Sequence, residues 1–390
     1  MIPARPPAVT LLVFAPSRSA PSETFIRANL RNLPCRTVAY CGDERPWGGP
    51  PLRLAYGVAI LLSKVLYRIG WQRLGTWVPS QVAILICRRE RPDVVLAEFG
   101  FHAVRIMELV PATGLPLVVH FRGADASSRR YLERLRPRYR RLLRLTAALV
   151  VKSEPMRETL AALAEGRPEP LPILISPSGA DPRWFGHQPA TPALAPPRFL
   201  AVGRFVAKKG PLITLEAFAQ ACRSRPNLEL VMVGEGPLLT AARQRAAAKD
   251  LAGRVQFAGL QTPAQIAAWM GDCRGFLQHS LTGPDGDQEG SPVAVMEAQL
   301  QGLPVVATRH AGIPDVVLDG VTGLLVAEGD GASMAAAIGR LADDPALAAR
   351  LGAAGRQRCA AQYTVPHHIA ALTTLLTSLA QQSNSGHNGR

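Results

Sequence analysis

The feature that most restricts the fold of this chain is a rhythm. Short apolar runs alternate with stretches of helical spacing, the pattern stops once, and then it starts again. In the first half the runs AVTLLVFAP, RTVAY, PDVVLAEF, LPLVVHF and AALVVKS read as strands. Segments such as SETFIRANLRNL, which spaces Phe25, Ile26, Leu30 and Leu33 along one helical face, fall between them. Near-continuous apolar strands alternating with helices predict a parallel sheet covered on both sides. The interruption is GHQPATPALAPP, residues 186–197, rich in Pro and Ala. Beyond it RFLAVGRF, LELVMVGEG, VQFAG, GFLQHS, LPVVATR and GLLVA restart the alternation.

The chain of 390 residues exceeds what a single core supports, and 47% of it is apolar. The predicted architecture is therefore α/β, with two doubly wound Rossmann-like domains facing across a cleft. The first domain is expected over residues 1–186, with a linker at 187–197. The second is expected over 198–365, followed by a helix at 366–382 packing back on the first domain and a disordered tail at 383–390. In such sheets ligands meet the loops that leave the carboxyl ends of the strands.

Six scattered cysteines without a C-x-x-C pair read as reduced thiols in the cytoplasm, and no pair of histidines stands at zinc spacing. The amino terminus reads as a first strand and not as a signal peptide. Charge is uneven: residues 1–186 carry 27 Lys and Arg against 14 Asp and Glu, and the remainder carries 17 against 15. The excess in the first half predicts an anionic partner there. RRYLERLRPRYRRLLRL (129–145), with eight Arg and one Glu, lacks the aromatic density and the motifs of a nucleic-acid binder. It reads instead as an interfacial surface for an anionic membrane, interrupted at Pro137. LAYGVAILLSKVLY (54–67) is strongly apolar, but it carries Lys64 and is too short to span.

Two stretches carry candidate chemistry. In EGSPVAVMEAQLQGLPVVATRHAGIPD, Ser291 suits an N-cap, Pro292 the first helical position and Gly302 the stop, which puts Glu289 in the loop and Glu297 inside the helix. In VGRFVAKKG, Arg204 and Lys209 follow a strand end. A guanidinium and an ammonium beside free helix N–H groups make a cradle for a diphosphate, while carboxylates suit sugar hydroxyls. Gly234 and Gly236 read as a tight strand-exit turn near a nucleoside. His279 borders the same pocket, and His102 and His310 also fall near strand ends. The segment Asp285–Asp287 reads as a turn and not as a metal site.

Taken together, VGRFVAKKG, VGEGPL, FAGLQTPAQIAAWMGDC and the two-glutamate stretch resemble the donor-binding half of family 4 retaining glycosyltransferases of GT-B fold. E-G-S-P and TRHAGIPD, with SETFI, HFRGAD and VVKSEPMRETL, resemble the exopolysaccharide, colanic-acid-type branch. The resemblance implies transfer of a hexose from a UDP- or GDP-linked sugar to a glycan hydroxyl, with retention and no metal or other cofactor. It implies that Arg204 and Lys209 hold the diphosphate and that Glu297 accepts from the ribose. Glu289 with Gly290, Ser291, Pro292 and Val293 would grip the donor, near Gly203. His120 would lie near the donor sugar, with Asp125 on the acceptor side. The family's Gly-Gly loop is replaced by APSRSAPSE, where Arg18 and Ser19 are expected to line the acceptor side. The expected acceptor is a lipid-linked glycan, met by a protein peripheral to the inner face of the cell membrane. The alternative is a nucleotide-sugar epimerase of the same fold, which would isomerise the donor without an acceptor.

Overall fold

The computed structural model describes residues 9–17, 24–43 and 51–387. The chain forms two compact units. The first takes residues up to Lys152, Met156–Ser176 and the helix residues from Ile369 onward. The second takes Ser153–Pro155 and Pro177–His368.

The first unit holds a six-stranded sheet of order β2-β1-β3-β4-β5-β6. Its strands are β1 (Thr10–Ala15), β2 (Arg36–Cys41), β3 (Val94–Glu98), β4 (Leu117–His120), β5 (Ala148–Val151) and β6 (Ile173–Ile175). The second holds a sheet of order β12-β11-β10-β7-β8-β9. It is built from β7 (Arg198–Val202), β8 (Glu229–Val233), β9 (Val255–Gly259), β10 (Gly275–Gln278), β11 (Val305–Thr308) and β12 (Gly323–Val326). Neighbouring strands pair in parallel throughout. Burial explains the continuous apolar runs. In the second sheet Phe199, Leu230, Met232, Leu277 and Val306 fill the core on one face, and Leu200, Val231, Val233, Phe276 and Val305 fill the other. Each strand thus feeds both layers with a period of two residues.

In both sheets the chain winds one way and then reverses. The first switches between β1 and β3, the second between β7 and β10. Connections leave those neighbouring strands in opposite directions, which opens a crevice at their carboxyl ends.

Three expectations change. The division falls at Ser176/Pro177 and not at Gly186, and the expected linker is packed onto the second unit. Gly186 N–H donates to Gln301 Oε1 at 2.8 Å, Ala190 N–H donates to the Gln301 carbonyl at 2.7 Å, and Arg274 donates to the Ala195 carbonyl at 2.5 Å. The segment runs over the surface of the second unit and is pinned at Ala190, Pro192 and Ala195, which are buried. The last helix spans Val365–His387, so residues 383–387 of the expected tail are helical, while 388–390 lie outside the described residues. Its Ile369, Leu372, Leu376 and Ala380 are buried at helical spacing. The Arg-rich segment forms helices Arg129–Leu132 and Arg136–Leu145, with Pro137 in the first turn of the second. Proline is tolerated there because first-turn N–H groups have no intrahelical acceptor.

Candidate functional site

The site in the second unit grows from the β7/β10 switch point. After β7 the chain passes Gly203 and Arg204, makes a single 3-10 turn over Ala207–Lys209, and enters the helix Pro211–Cys222 through Gly210 at φ +51°. Glycine is required at that position, because a Cβ would fall on the carbonyl oxygen of His279. Gly234, at φ +132°, lets the β8 exit lie directly on the carbonyl of Gly203. These close backbone approaches put Gly203, Arg204, Lys209 and Gln278 on the lining of one pocket. Gly236 presses in the same way on the backbone of Phe205.

The loop after β10 brings in the acids. Glu289 Oε1 lies 3.0 Å from Lys209 Nζ, and Asp287 Oδ2 lies 2.8 Å from Lys208 Nζ. Burial pushes the Glu289 carboxyl up, but the two lysines outweigh it and hold its pKa below the ordinary carboxylate value. Sequence reading assigned Lys209 to phosphate and Glu289 to sugar as separate duties, whereas the structure joins them as an ion pair. An ammonium has three donors, so the pairing leaves Lys209 able to donate to a second anion. Arg204 is exposed.

Glu297 lies in the helix Val293–Gln301. Burial, and secondarily Asp181, push its pKa up to about 7. The N-cap of this helix is Pro292, without a side-chain bond. Ser291 therefore stands one residue before the helix entry and does not cap it, because the chain turns helical later than the Ser-Pro pair suggests. Gly290 is held by contact of its carbonyl with Gly312, and Val293 is exposed at the start of the helix.

His279 is fully buried. Its Nε2 accepts from the Gly329 N–H at 2.9 Å and its Nδ1 lies 3.3 Å from Met334 Sδ, so it braces the loop after β12 instead of bordering the pocket. Burial lowers its pKa. Two neighbours that sequence reading did not place in the site do more for Glu289. His310 Nε2 accepts from the Glu289 N–H at 3.1 Å, and its Nδ1 donates to Glu328 Oε1 at 2.6 Å. Glu328 Oε2 accepts from the Thr282 N–H at 2.9 Å. One carboxylate thereby ties down both ends of the loop that carries Glu289. The signal was a histidine and a glutamate at the ends of adjacent strands, β11 and β12, and only the strand order makes them neighbours.

In the first unit His120 ends β4 and is fully buried, with Nδ1 3.5 Å from Glu98 Oε2. Glu98, the last residue of β3, accepts a forked pair of bonds from Arg122 at 2.9 and 2.8 Å and another from Asn29 at 3.2 Å. Lys152, beyond β5, donates to the Ser176 carbonyl at 2.9 Å. Burial, and then Arg122, drive its pKa well below the ordinary lysine value. Sequence reading missed this charged cluster apart from His120. Asp125 departs from expectation. It is fully buried, and its two oxygens accept from the backbone N–H groups of Gly100, Arg122 and Gly123 at 2.8 to 2.9 Å. It offers no oxygen to an acceptor and instead fixes the loop after β4. Arg18 and Ser19 lie outside the described residues. Among the described residues no cluster of three or more His, Cys, Asp or Glu could hold a metal ion, and no helix is long and apolar enough to cross a membrane.

Two switch-point sheets with a cation–carboxylate pair at the second are an arrangement that can take a nucleotide, and the comparisons give the class. The family model for glycosyl transferases group 1 matches residues 183–358. The chain is 31% identical to an amylovoran biosynthesis glycosyltransferase of Erwinia amylovora, over 87% of this chain and 84% of that protein. It is 32% identical to a putative colanic acid biosynthesis glycosyltransferase of Salmonella typhimurium, over 70% and 72% of the two chains. The crystal structure of Anabaena Alr3699/HepE in complex with UDP superimposes with a TM-score of 0.73 at 18% identity, over 95% of this chain and 100% of that one. The chain belongs to the group 1 glycosyltransferases and has their GT-B fold. It is an enzyme that moves a sugar from a nucleotide diphosphate donor to an acceptor.

Proposed function

We propose that the protein is a retaining hexosyltransferase of exopolysaccharide assembly, using a UDP- or GDP-linked sugar and a lipid-linked glycan acceptor. The observation that carries this reading is the contact of 3.0 Å between Glu289 and Lys209, a lysine that shares a pocket lining with Arg204 and Gly203. Lys209 and Arg204 take the donor diphosphate. Glu289, kept ionised by its lysine, accepts from sugar hydroxyls, and Glu297 accepts from the ribose. The bond from the anomeric carbon to the phosphate oxygen breaks, the acceptor oxygen bonds to that carbon on the same face, and the acceptor proton passes to the departing diphosphate. Phosphate is already a good leaving group, so the cations have to stabilise charge and no acid has to protonate it. This distinguishes the pair from the two carboxylates of a glycosidase.

Names of the relatives, concerned with amylovoran and colanic acid, support an exopolysaccharide acceptor. The basic first half supports residence at an anionic membrane surface. A thermal-shift series with UDP- and GDP-hexoses tests the donor, since a ligand of the folded state raises its stability. One nucleotide sugar is expected to stabilise the protein, and no response to any of them would overturn the reading. Turnover of the donor to an isomer without acceptor would favour an epimerase.

A further inference from the structure

Two neighbouring lysines of one short turn face two acids of one loop. The turn is the 3-10 turn Ala207–Lys209, and the loop is TGPDGDQEG, residues 282–290. Lys208 Nζ lies 2.8 Å from Asp287 Oδ2, and Lys209 Nζ lies 3.0 Å from Glu289 Oε1. The loop carries Asp285, Asp287 and Glu289 and no Lys or Arg. Carboxylates so close in sequence repel one another, and would repel a diphosphate, unless cations stand against them. Lys208 grips this loop twice: its carbonyl accepts from the Leu281 N–H at 2.9 Å, and its ammonium meets Asp287 further along. The Gly283 N–H donates back to the Asp287 carbonyl at 2.8 Å, so the ion pair restrains the turn as well as one side chain. Both ends of the loop are held elsewhere, by Glu328 at Thr282 and by His310 at Glu289. The Lys208–Asp287 contact holds its middle.

Burial separates this pair from ion pairs of the outer surface. The side chains of Lys208 and Asp287 are 16% and 23% exposed, whereas Asp343 and Glu216, each paired with an arginine, are 58% and 60% exposed. A pair that water reaches less is screened less. The two lysines also differ in their duties. Lys209 shares a pocket lining with Arg204 and Gly203, whereas the ammonium of Lys208 is committed to Asp287. A bound diphosphate draws on Lys209 and loosens its hold on Glu289, while Lys208 stays with Asp287. We propose that Lys208 and Asp287 are positioning residues for the donor sugar: their ion pair fixes the loop, so that Glu289 stays in place when Lys209 turns to the diphosphate. The inference rests on the reading of Glu289 as the group that accepts from sugar hydroxyls, and adds the residues that hold it there.

The test measures, by titration calorimetry on the full chain, the Kd for UDP- and GDP-hexoses and the Kd for UDP and GDP alone. Asp287→Ala should weaken binding of the nucleotide sugar about tenfold, the loss of one charge-assisted bond to a hydroxyl. It should leave binding of the free nucleoside diphosphate unchanged or slightly tighter, because one anion has left the neighbourhood. A merely structural role would weaken both together, and retained nucleoside diphosphate binding verifies the fold of the variant. Lys208→Gln removes a cation and should weaken both ligands. Adding Asp287→Ala to it should restore the nucleoside diphosphate and leave the sugar loss no greater than in Asp287→Ala alone, because the two residues act through one contact. Equal losses for both ligands in Asp287→Ala, no loss for either, or additive losses in the double variant would overturn the inference. Glu289→Gln separates it from the reading beneath it. A nucleotide sugar bound normally by Glu289→Gln would remove the sugar-contact reading itself, whereas a loss in Glu289→Gln without one in Asp287→Ala would remove the Lys208–Asp287 inference alone. A wild-type chain that binds UDP or GDP but no hexose derivative of either would overturn both.

Discussion

His310 joins two distant parts of the second unit through one neutral ring: it donates from Nδ1 to Glu328 and accepts at Nε2 from the backbone of Glu289. An acceptor at Nε2 requires the proton on Nδ1, which is the atom facing the Glu328 carboxylate. Tautomer and partner therefore enforce each other.

His310→Ala removes the side chain that accepts from the Glu289 N–H and should raise KM for the donor more than it lowers kcat. The unsatisfied buried donor costs about 1–3 kcal/mol. Glu328→Ala should reproduce the pattern, and the double variant should be little worse than either single one, because both act through one chain of bonds. Additive losses in donor KM would show that the two residues act separately.

Lys209→Ala and Arg204→Ala should each reduce kcat by about 100- to 1,000-fold, the usual loss when one preorganised donor to a developing charge is removed. Lys209→Ala should also destabilise the fold, since it leaves Glu289 charged and buried. Arg204 is exposed, so Arg204→Ala should leave Tm nearly unchanged. Steady-state rates alongside melting curves separate the two effects, and near-normal turnover in both variants would refute the diphosphate cradle.

Glu297 has a folded-state pKa of about 7, above the ordinary value of 4.5. The folded state therefore holds a proton that the unfolded state has lost between those values, and stability falls as pH rises through that window. Glu297→Gln should remove this loss, raising stability at pH 8 by about 1–3 kcal/mol while leaving it unchanged below pH 4. The same variant should weaken donor binding. Denaturant titrations at the two pH values check the sign, and a gain present equally at both would contradict the assignment.

Gly234→Ala places a Cβ on the Gly203 carbonyl at a backbone angle that disfavours side chains. Strain of about 1–3 kcal/mol is expected, and Gly203 should be displaced from the pocket lining. A lower Tm together with weaker nucleotide binding is the predicted result. A variant as stable as wild type would show that the strand exits can separate freely.

The parallel sheets were legible because the inner strands are buried on both faces, which the apolar runs from Val94 to Ala97 and from Leu117 to Val119 record directly. How the segment 187–197 lies was not legible, because Pro and Ala signal irregular backbone equally well whether it is exposed or, as at Ala190 and Ala195, buried. The bonds of Asp125 were not legible, because a carboxylate in a loop reads alike whether its oxygens face a ligand or three backbone N–H groups.

Local chemistry is written in order along the chain: periodicity, the glycines that permit tight exits, and the cations and acids that can meet phosphate and sugar. The amino-acid sequence by itself therefore determined the two α/β units and the basic first half. Tertiary structure decided which charges face each other. Lys209 with Glu289 and His310 with Glu328 are brought together by strand order. These distances depend on packing between segments far apart in the chain, so no spacing in the sequence encodes them.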